Sequence, residues 1–288
     1  MQYGPAVRRR RLGAELRTLR AAAGLTSSQA AAEVGWHQSK VSRIETGRSG
    51  VRAGDVRLLL EAYEVADRRL CELLVALAGT DDQGTAGRHH WWRAYRDLLP
   101  ATYRDFISLE AQAGWVRTLE TSVVPGLLQT PAYARAVTRA ALGKLPEPQV
   151  DALVEVRLAR QEVLRAQPPL RLSAIVDEAV LRRPVGGPLV FAQQLARLRE
   201  VALLPQVRLQ VLPFGRGEHA GLIGPFVILS FPSIADLDVV VLDHLTSSLY
   251  LEGKDDLQAY TEAFNSLQEQ ALSPEDSKEF IAGLSDGA

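Results

Sequence analysis

The stretch Gly24-Leu-Thr-Ser-Ser-Gln-Ala-Ala-Ala-Glu-Val-Gly-Trp-His-Gln-Ser-Lys-Val-Ser-Arg-Ile-Glu-Thr-Gly47 decides the fold of the N-terminal part of the chain. It reads as two short helices joined by a turn, the layout of a helix-turn-helix. Two helices crossing at a sharp angle need a small residue where they touch, which Ala31 supplies. The turn needs a residue that tolerates a left-handed backbone, which Gly35 supplies. Val34, Val41 and Ile44 are the apolar knobs, and Gln38, Ser39, Ser42 and Arg43 are left on the outer face of the second helix.

Outward from this motif, the helical pattern runs from Val7 to Ala78, with breaks at Gly24, Gly35, Gly47 to Gly50 and near Val65, so five short helices fit. Residues 1–78 carry 13 basic and 8 acidic side chains, and residues 79–288 carry 20 and 26. A formal net charge of −1 over 288 residues therefore conceals a basic head on an acidic body. The run Arg8-Arg9-Arg10-Arg11 is read as a solvated face. Cys71 is the single thiol, which excludes a disulfide framework and a cysteine-based zinc or iron–sulfur site. Its place in Leu70-Cys-Glu-Leu-Leu74 suits a buried helix residue. No signal-peptide pattern and no run of 18 apolar residues appears, so the expectation is a cytoplasmic, nucleoid-associated protein without a membrane partner.

Residues 79–90, rich in glycine and empty of large apolar side chains, are expected to be a linker between a head (1–78) and a body (91–288). In the body, Trp91 to Leu99 reads as a short helix, and the near-alternation from Phe106 to Leu119 around Gly114 as a strand pair. Thr130–Leu142 and Val150–Ala166 read as helices, the second with Leu153, Val156 and Leu164 inward and Arg157, Arg160 and Arg165 outward. Strand-length apolar runs follow at 170–176, 207–212, 226–231, 238–242 and 248–251. A helix at 188–204 between the first two suggests a β-α-β crossover, with the later strands antiparallel. Helices over 255–272 and after Pro274 close the chain. The fold class expected is an all-α helix-turn-helix domain followed by a mixed-sheet α/β domain.

The segment Leu12–Leu77 resembles the XRE (lambda-repressor-like) five-helix DNA-binding domain. That resemblance implies base reading by Gln38, Ser39, Ser42 and Arg43, since Gln suits adenine and Arg suits guanine. It implies phosphate contacts by Lys40, Arg48 and Arg52, and by Ser27, which stands where family members often carry Gln. Arg20 and Glu45 fall where the family holds a partly buried ion pair. A double-stranded, palindromic operator and a homodimer are expected, with Leu70, Leu73, Leu74 and Leu77 as a candidate seam.

The body resembles the companion domain of actinomycete WhiJ-like, antitoxin-like regulators. The phrases that carry this are Leu109-Glu110, Val124-Pro-Gly-Leu-Leu-Gln-Thr130, Tyr133-Ala134, Val176-Asp-Glu-Ala-Val-Leu181, Gly186-Gly187, Gln194-Leu195, Val211-Leu-Pro213, His219-Ala-Gly221 and Gly224-Pro-Phe226. The resemblance implies docking of a small companion protein. The surface expected for a partner or ligand comprises Trp91, Trp92, Trp115, Glu218 and His219, with the Gly215–Gly224 loop at its rim. A small-molecule sensor is the alternative. An enzyme fused to the head, using Asp177-Glu178, Glu218-His219 or Asp243-His244, ranks last, because no HExxH, GxSxG or GxxxxGK[ST] pattern occurs. No cofactor and no metal site is assigned.

Overall fold

Glycines at positive φ set the boundaries of the head: Gly24 (71°), Gly35 (67°) and Gly47 (65°) each end a helix in the left-handed region. In the computed structural model, which describes residues 5–78, 95, 98–99, 101–231, 238–244 and 247–285, five helices result. They are α1 (Pro5–Ala22), α2 (Ser27–Glu33), α3 (Gln38–Glu45), α4 (Ala53–Ala62) and α5 (Arg68–Leu77). Thr26 caps α2 in a reciprocal box: its hydroxyl accepts from Gln29 N–H at 3.2 Å, and its own N–H donates to Gln29 Oε1 at 2.9 Å. Leu12, Leu16, Ala31, Val41, Ile44, Val56, Leu59 and Leu74 are buried and form the head's core. Cys71 is partly buried in α5.

The chain divides into two units, Met1–Trp91 and Trp92–Ala288. Residues 79–90, expected as a linker, lie outside the described residues, as do Trp91, Trp92 and most of the short helix expected there.

The second unit holds a six-stranded mixed sheet in the order β3-β2-β1-β4-β5-β6. The strands are β1 (Trp115–Glu120), β2 (Arg171–Asp177), β3 (Val207–Leu212), β4 (Phe226–Ser230), β5 (Val239–Asp243) and β6 (Ser248–Leu251). β1, β2 and β3 are parallel, with Trp115 opposite Arg171 and Leu172 opposite Val207. β4, β5 and β6 add antiparallel, beginning with Leu119 opposite Phe226. Helices α7 (Pro131–Ala141) and α8 (Glu147–Arg160) connect β1 to β2, and α9 (Pro188–Val201) connects β2 to β3. Parallel strands need such crossovers, and this is why β2 is buried along nearly its whole length.

One sheet face packs Leu119, Ile175, Leu212, Phe226, Ile228 and Val240 against Phe264 and Leu267 of α10 (Lys254–Gln270). Phe226 meets Phe264 edge-on at 6.5 Å. Burial of each such side chain contributes about 2–3 kcal/mol. The chain ends in α11 (Pro274–Ser285), whose Ser277 hydroxyl accepts from Val211 N–H at 2.9 Å.

Two expectations are corrected. The strand pair expected over 106–119 is half helix: Ala101–Glu110 is α6, and only 115–120 is a strand. Phe106, Ile107 and Glu110 are buried at helical spacing, a period that the apparent alternation hid. Arg160 does not point outward; it is buried, for the reason given below.

Candidate nucleic-acid interface

Val41, Ile44 and Glu45 of α3 are buried, and this fixes which side of the helix meets solvent. Gln38, Ser39 and Arg43 are exposed and Ser42 is half-buried, all on the opposite side. Glu45 is held by Arg20 from α1 through two bonds, Nε to Oε1 at 2.6 Å and Nη2 to Oε2 at 3.0 Å, while Arg20 Nη1 donates to the Leu25 carbonyl at 2.6 Å. The Glu45 bond raises the Arg20 pKa despite burial. Tyr63, buried beside this pair, has its phenol pushed up to about 12 by burial and by the Glu45 charge, with Arg20 opposing. A satisfied, partly buried pair of this kind sets the pitch of α3 against α1 rather than adding net stability.

The starts of α2 and α3 are tied together, because Gln38 Nε2 donates to Ser27 Oγ at 3.1 Å. The Ser27 hydroxyl proton remains available to a phosphate. Arg43 Nε bonds the Ser39 carbonyl one turn back at 3.2 Å, which lays the guanidinium along the outer face.

The cations around the helix are not equivalent. Lys40 Nζ lies 3.1 Å from Asp55 Oδ2 and 3.4 Å from the centroid of the Trp36 ring. It must leave, or share, these contacts to meet a phosphate. Arg48 and Arg52 are exposed, and among the described residues neither has a carboxylate at ion-pair distance. Nothing in the sequence pattern pointed to Asp55 as a partner of Lys40. Gly13 was missed as well: a Cβ there would stand 2.3 Å from the Ile44 carbonyl oxygen and 2.6 Å from that of Glu45, so α1 crosses the end of α3 backbone to backbone.

In the body, Trp115 and the pair Glu218 and His219, expected to share one surface, fall at opposite ends of β1, while Trp91 and Trp92 lie outside the described residues. Trp115 begins β1, bonds Ser173 Oγ through Nε1 at 3.1 Å, and carries Arg117 and Arg171 on its ring at 4.6 Å and 5.1 Å. Arg117 is buried, its pKa lowered by burial against the pull of Asp238, and its Nε has no partner. Glu218 and His219 belong to the other end, where Gly221 packs beside His219 and against Leu119. The His219 Nδ1 atom is buried without a hydrogen-bond partner.

Of the three acid–base pairs named for catalysis, Asp177-Glu178 is engaged structurally. Asp177 Oδ1 accepts from Ala179 N–H at 2.8 Å, and Glu178 accepts from Arg182 and, at 2.9 Å, from Phe214 N–H.

A polar network that sequence reasoning missed joins α8 to α6 and to the loop at 124–130. Arg160 Nε and Nη2 each reach a Glu110 oxygen at 2.8 Å, and Nη1 reaches the Tyr103 hydroxyl at 2.7 Å. Burial opposes the charge, but Glu110 and Tyr103 hold the Arg160 pKa above its ordinary value. Arg157 Nη1 donates to Gln129 Oε1 at 3.0 Å, and Gln129 Nε2 donates to the Val124 carbonyl at 2.7 Å. Gln194, fully buried, accepts from Thr130 N–H at 2.7 Å and donates to the Leu128 carbonyl at 2.9 Å. The 124–130 and 194 phrases therefore form one loop scaffold. The signal available in the sequence was the spacing of Tyr103, Phe106, Ile107 and Glu110.

Comparison with known proteins places a helix-turn-helix domain over residues 11–74 and a domain of unknown function (DUF5753) over residues 103–283. No curated protein and no solved structure matches the chain.

Proposed function

The chain belongs to the DUF5753 family, with a helix-turn-helix domain at its N-terminus, and from that premise we propose that it is a sequence-specific transcriptional regulator of XRE type whose body docks a small protein partner and thereby controls DNA binding. The helix-turn-helix domain itself marks the chain as a DNA-binding regulator. Among the described residues no helix is long and apolar enough to cross a membrane.

The observation that carries the reading is the outer face of α3, where Gln38, Ser39 and Arg43 stand exposed above a helix anchored by Glu45. Gln and Arg present the bidentate donors and acceptors that distinguish adenine and guanine in the major groove. Ser27, Arg48 and Arg52 flank them as phosphate contacts, and Lys40 joins once released from Asp55. One head covers a half-site, so a palindromic operator and a homodimer complete the reading. In the described part of the expected seam Leu74 is buried inside the head, which leaves the body to contribute to dimerisation.

Partner docking is supported by the Gly215–Gly224 loop and its flank. Phe214 is 57% exposed, Leu222 69% and Ile223 92%, an apolar group beside the exposed Glu218. Large exposed apolar side chains grouped in this way mark interaction sites. Native mass spectrometry of the full chain purified from its own cells tests the reading. A stoichiometric small protein that is lost in a Leu222→Ser/Ile223→Ser variant is expected, while a bare chain in both preparations would overturn partner control.

A further inference from the structure

The connection leaves β1 toward β2 on one side, while β4 flanks β1 on the other, so the strand order reverses at β1. In open α/β sheets ligands bind outside the carboxyl ends of the parallel strands, and here β1, β2 and β3 end together at one side of the sheet. Glu120 is the last residue of β1. Asp243 is the last residue of β5, and since β5 is antiparallel to β4 and β4 to β1, it ends at the same edge.

Over this edge α8 brings two arginines one turn apart, and they are treated differently. Arg160 is saturated by Glu110 and Tyr103 and abuts the Gly126 backbone, where a Cβ would lie 3.6 Å from its guanidinium nitrogens. Arg157 is partly buried, and its partners are neutral: Gln129 Oε1 and the Tyr103 hydroxyl. Among the described residues no carboxylate stands at ion-pair distance from it. A guanidinium carries five donors, and removing its charge from water without an anion is costly. Burial accordingly lowers its pKa. Glu120, within Coulombic reach of Arg157, takes among the described residues one hydrogen bond, from the Thr118 hydroxyl at 3.3 Å, which also reaches the Phe226 carbonyl at 3.2 Å.

We infer that this edge of the body binds a small organic acid bearing an amino or hydroxyl group, its carboxylate on the open donors of Arg157 and its amino or hydroxyl donor on Glu120. The planar fork of Arg157 fits a carboxylate in two parallel bonds. Burial, with the Asp243 charge adding and Arg157 and Arg160 opposing, raises the Glu120 carboxyl to about 7, so it gains from a donor that neutralises it. Arg160 with Glu110 and Gln129 with the Val124 carbonyl fix α8 and the adjoining loop in place, and Arg157 and Glu120 contact the ligand. The inference concerns the body alone and stands independently of DNA reading.

Isothermal titration calorimetry of the full chain, without DNA, against the standard amino acids and their 2-hydroxy analogues tests it. Each acid is paired with its carboxamide and with its des-amino or deoxy form. At least one acid is expected to bind saturably, with its carboxamide weaker by about tenfold or more, the worth of a charge-assisted pair. Arg157→Gln should lose binding to the same extent, and Glu120→Gln should no longer prefer the acid over its des-amino form. If circular dichroism shows Arg157→Gln to be unfolded, Arg157→Lys replaces it, with weakened binding again expected because Lys lacks the fork. The inference is overturned if no acid in the panel binds the folded chain, if acid and carboxamide bind alike, or if the folded Arg157 variant binds as tightly as the unmodified chain.

Discussion

Gln38 and Arg43 of α3 differ from Lys40, beside them, in what their side chains are free to meet. Gln38 and Arg43 lie on the exposed face and can address base edges, whereas Lys40 is occupied by Asp55 and Trp36. Gln38→Ala is expected to cost about 1–3 kcal/mol on the operator and little on a scrambled duplex. Lys40→Ala should weaken both duplexes alike and reduce the salt slope by about one. Equal losses on the two duplexes for Gln38→Ala, measured by fluorescence anisotropy, would remove Gln38 from the base-reading set. Glu120 makes a separate prediction. Its carboxyl is raised from 4.5 to about 7 in the folded chain, so the native state binds the proton more tightly than the unfolded one. Stability from this group is therefore fully present below pH 4.5 and is lost as pH rises through 7. Glu120→Gln should abolish that decline, a gain on the order of 3 kcal/mol above pH 7 in urea titrations. An unchanged pH profile would show that the carboxyl is not desolvated.

At the scale of elements, the crossing of α1 and α3 rests on a residue that the helix-turn-helix pattern does not mark. Gly13→Ala places a methyl against the Ile44 and Glu45 carbonyls and is expected to cost about 2–3 kcal/mol, with α3 displaced. Chemical denaturation reads this directly, and a change within about 0.5 kcal/mol would mean that the helices part without penalty. The short helices of the head and the strands at 171–177 and 207–212 were legible because glycine breaks and β-branched runs are local signals. α6 was not, since Ile107, Leu109 and Ala111 offer a strand-like alternation beside the helical period of Tyr103, Phe106, Ile107 and Glu110. Nor was the inward turn of Arg160, because an arginine on a helix reads as surface until its partner is known. That partner, Glu110, lies 50 residues away on α6. Glu110→Gln should destabilise the body by about 3–5 kcal/mol by stranding a buried guanidinium, whereas replacing both residues by apolar ones should cost less. A double-mutant cycle of Glu110 and Arg160 in thermal unfolding checks the difference. A purely additive result would show that the pair is not coupled.

For the whole molecule, a basic head and an acidic body are told apart by charge in the sequence alone; what the body recognises has no such local signal. The ligand site proposed there joins Glu120 of β1 to Arg157 of α8, a pairing across the fold that no local pattern carries. DNA affinity with sequence preference needs two heads about 34 Å apart, so a body that dimerises would also set operator affinity. The most direct measurement compares the full chain with residues 1–78 on an operator selected from a random duplex library and on a scrambled duplex of the same length. The full chain should prefer the operator by about a thousandfold or more, while the head alone binds both duplexes weakly and nearly alike. A full chain that binds operator and scrambled duplex with equal affinity would contradict sequence-specific regulation by α3.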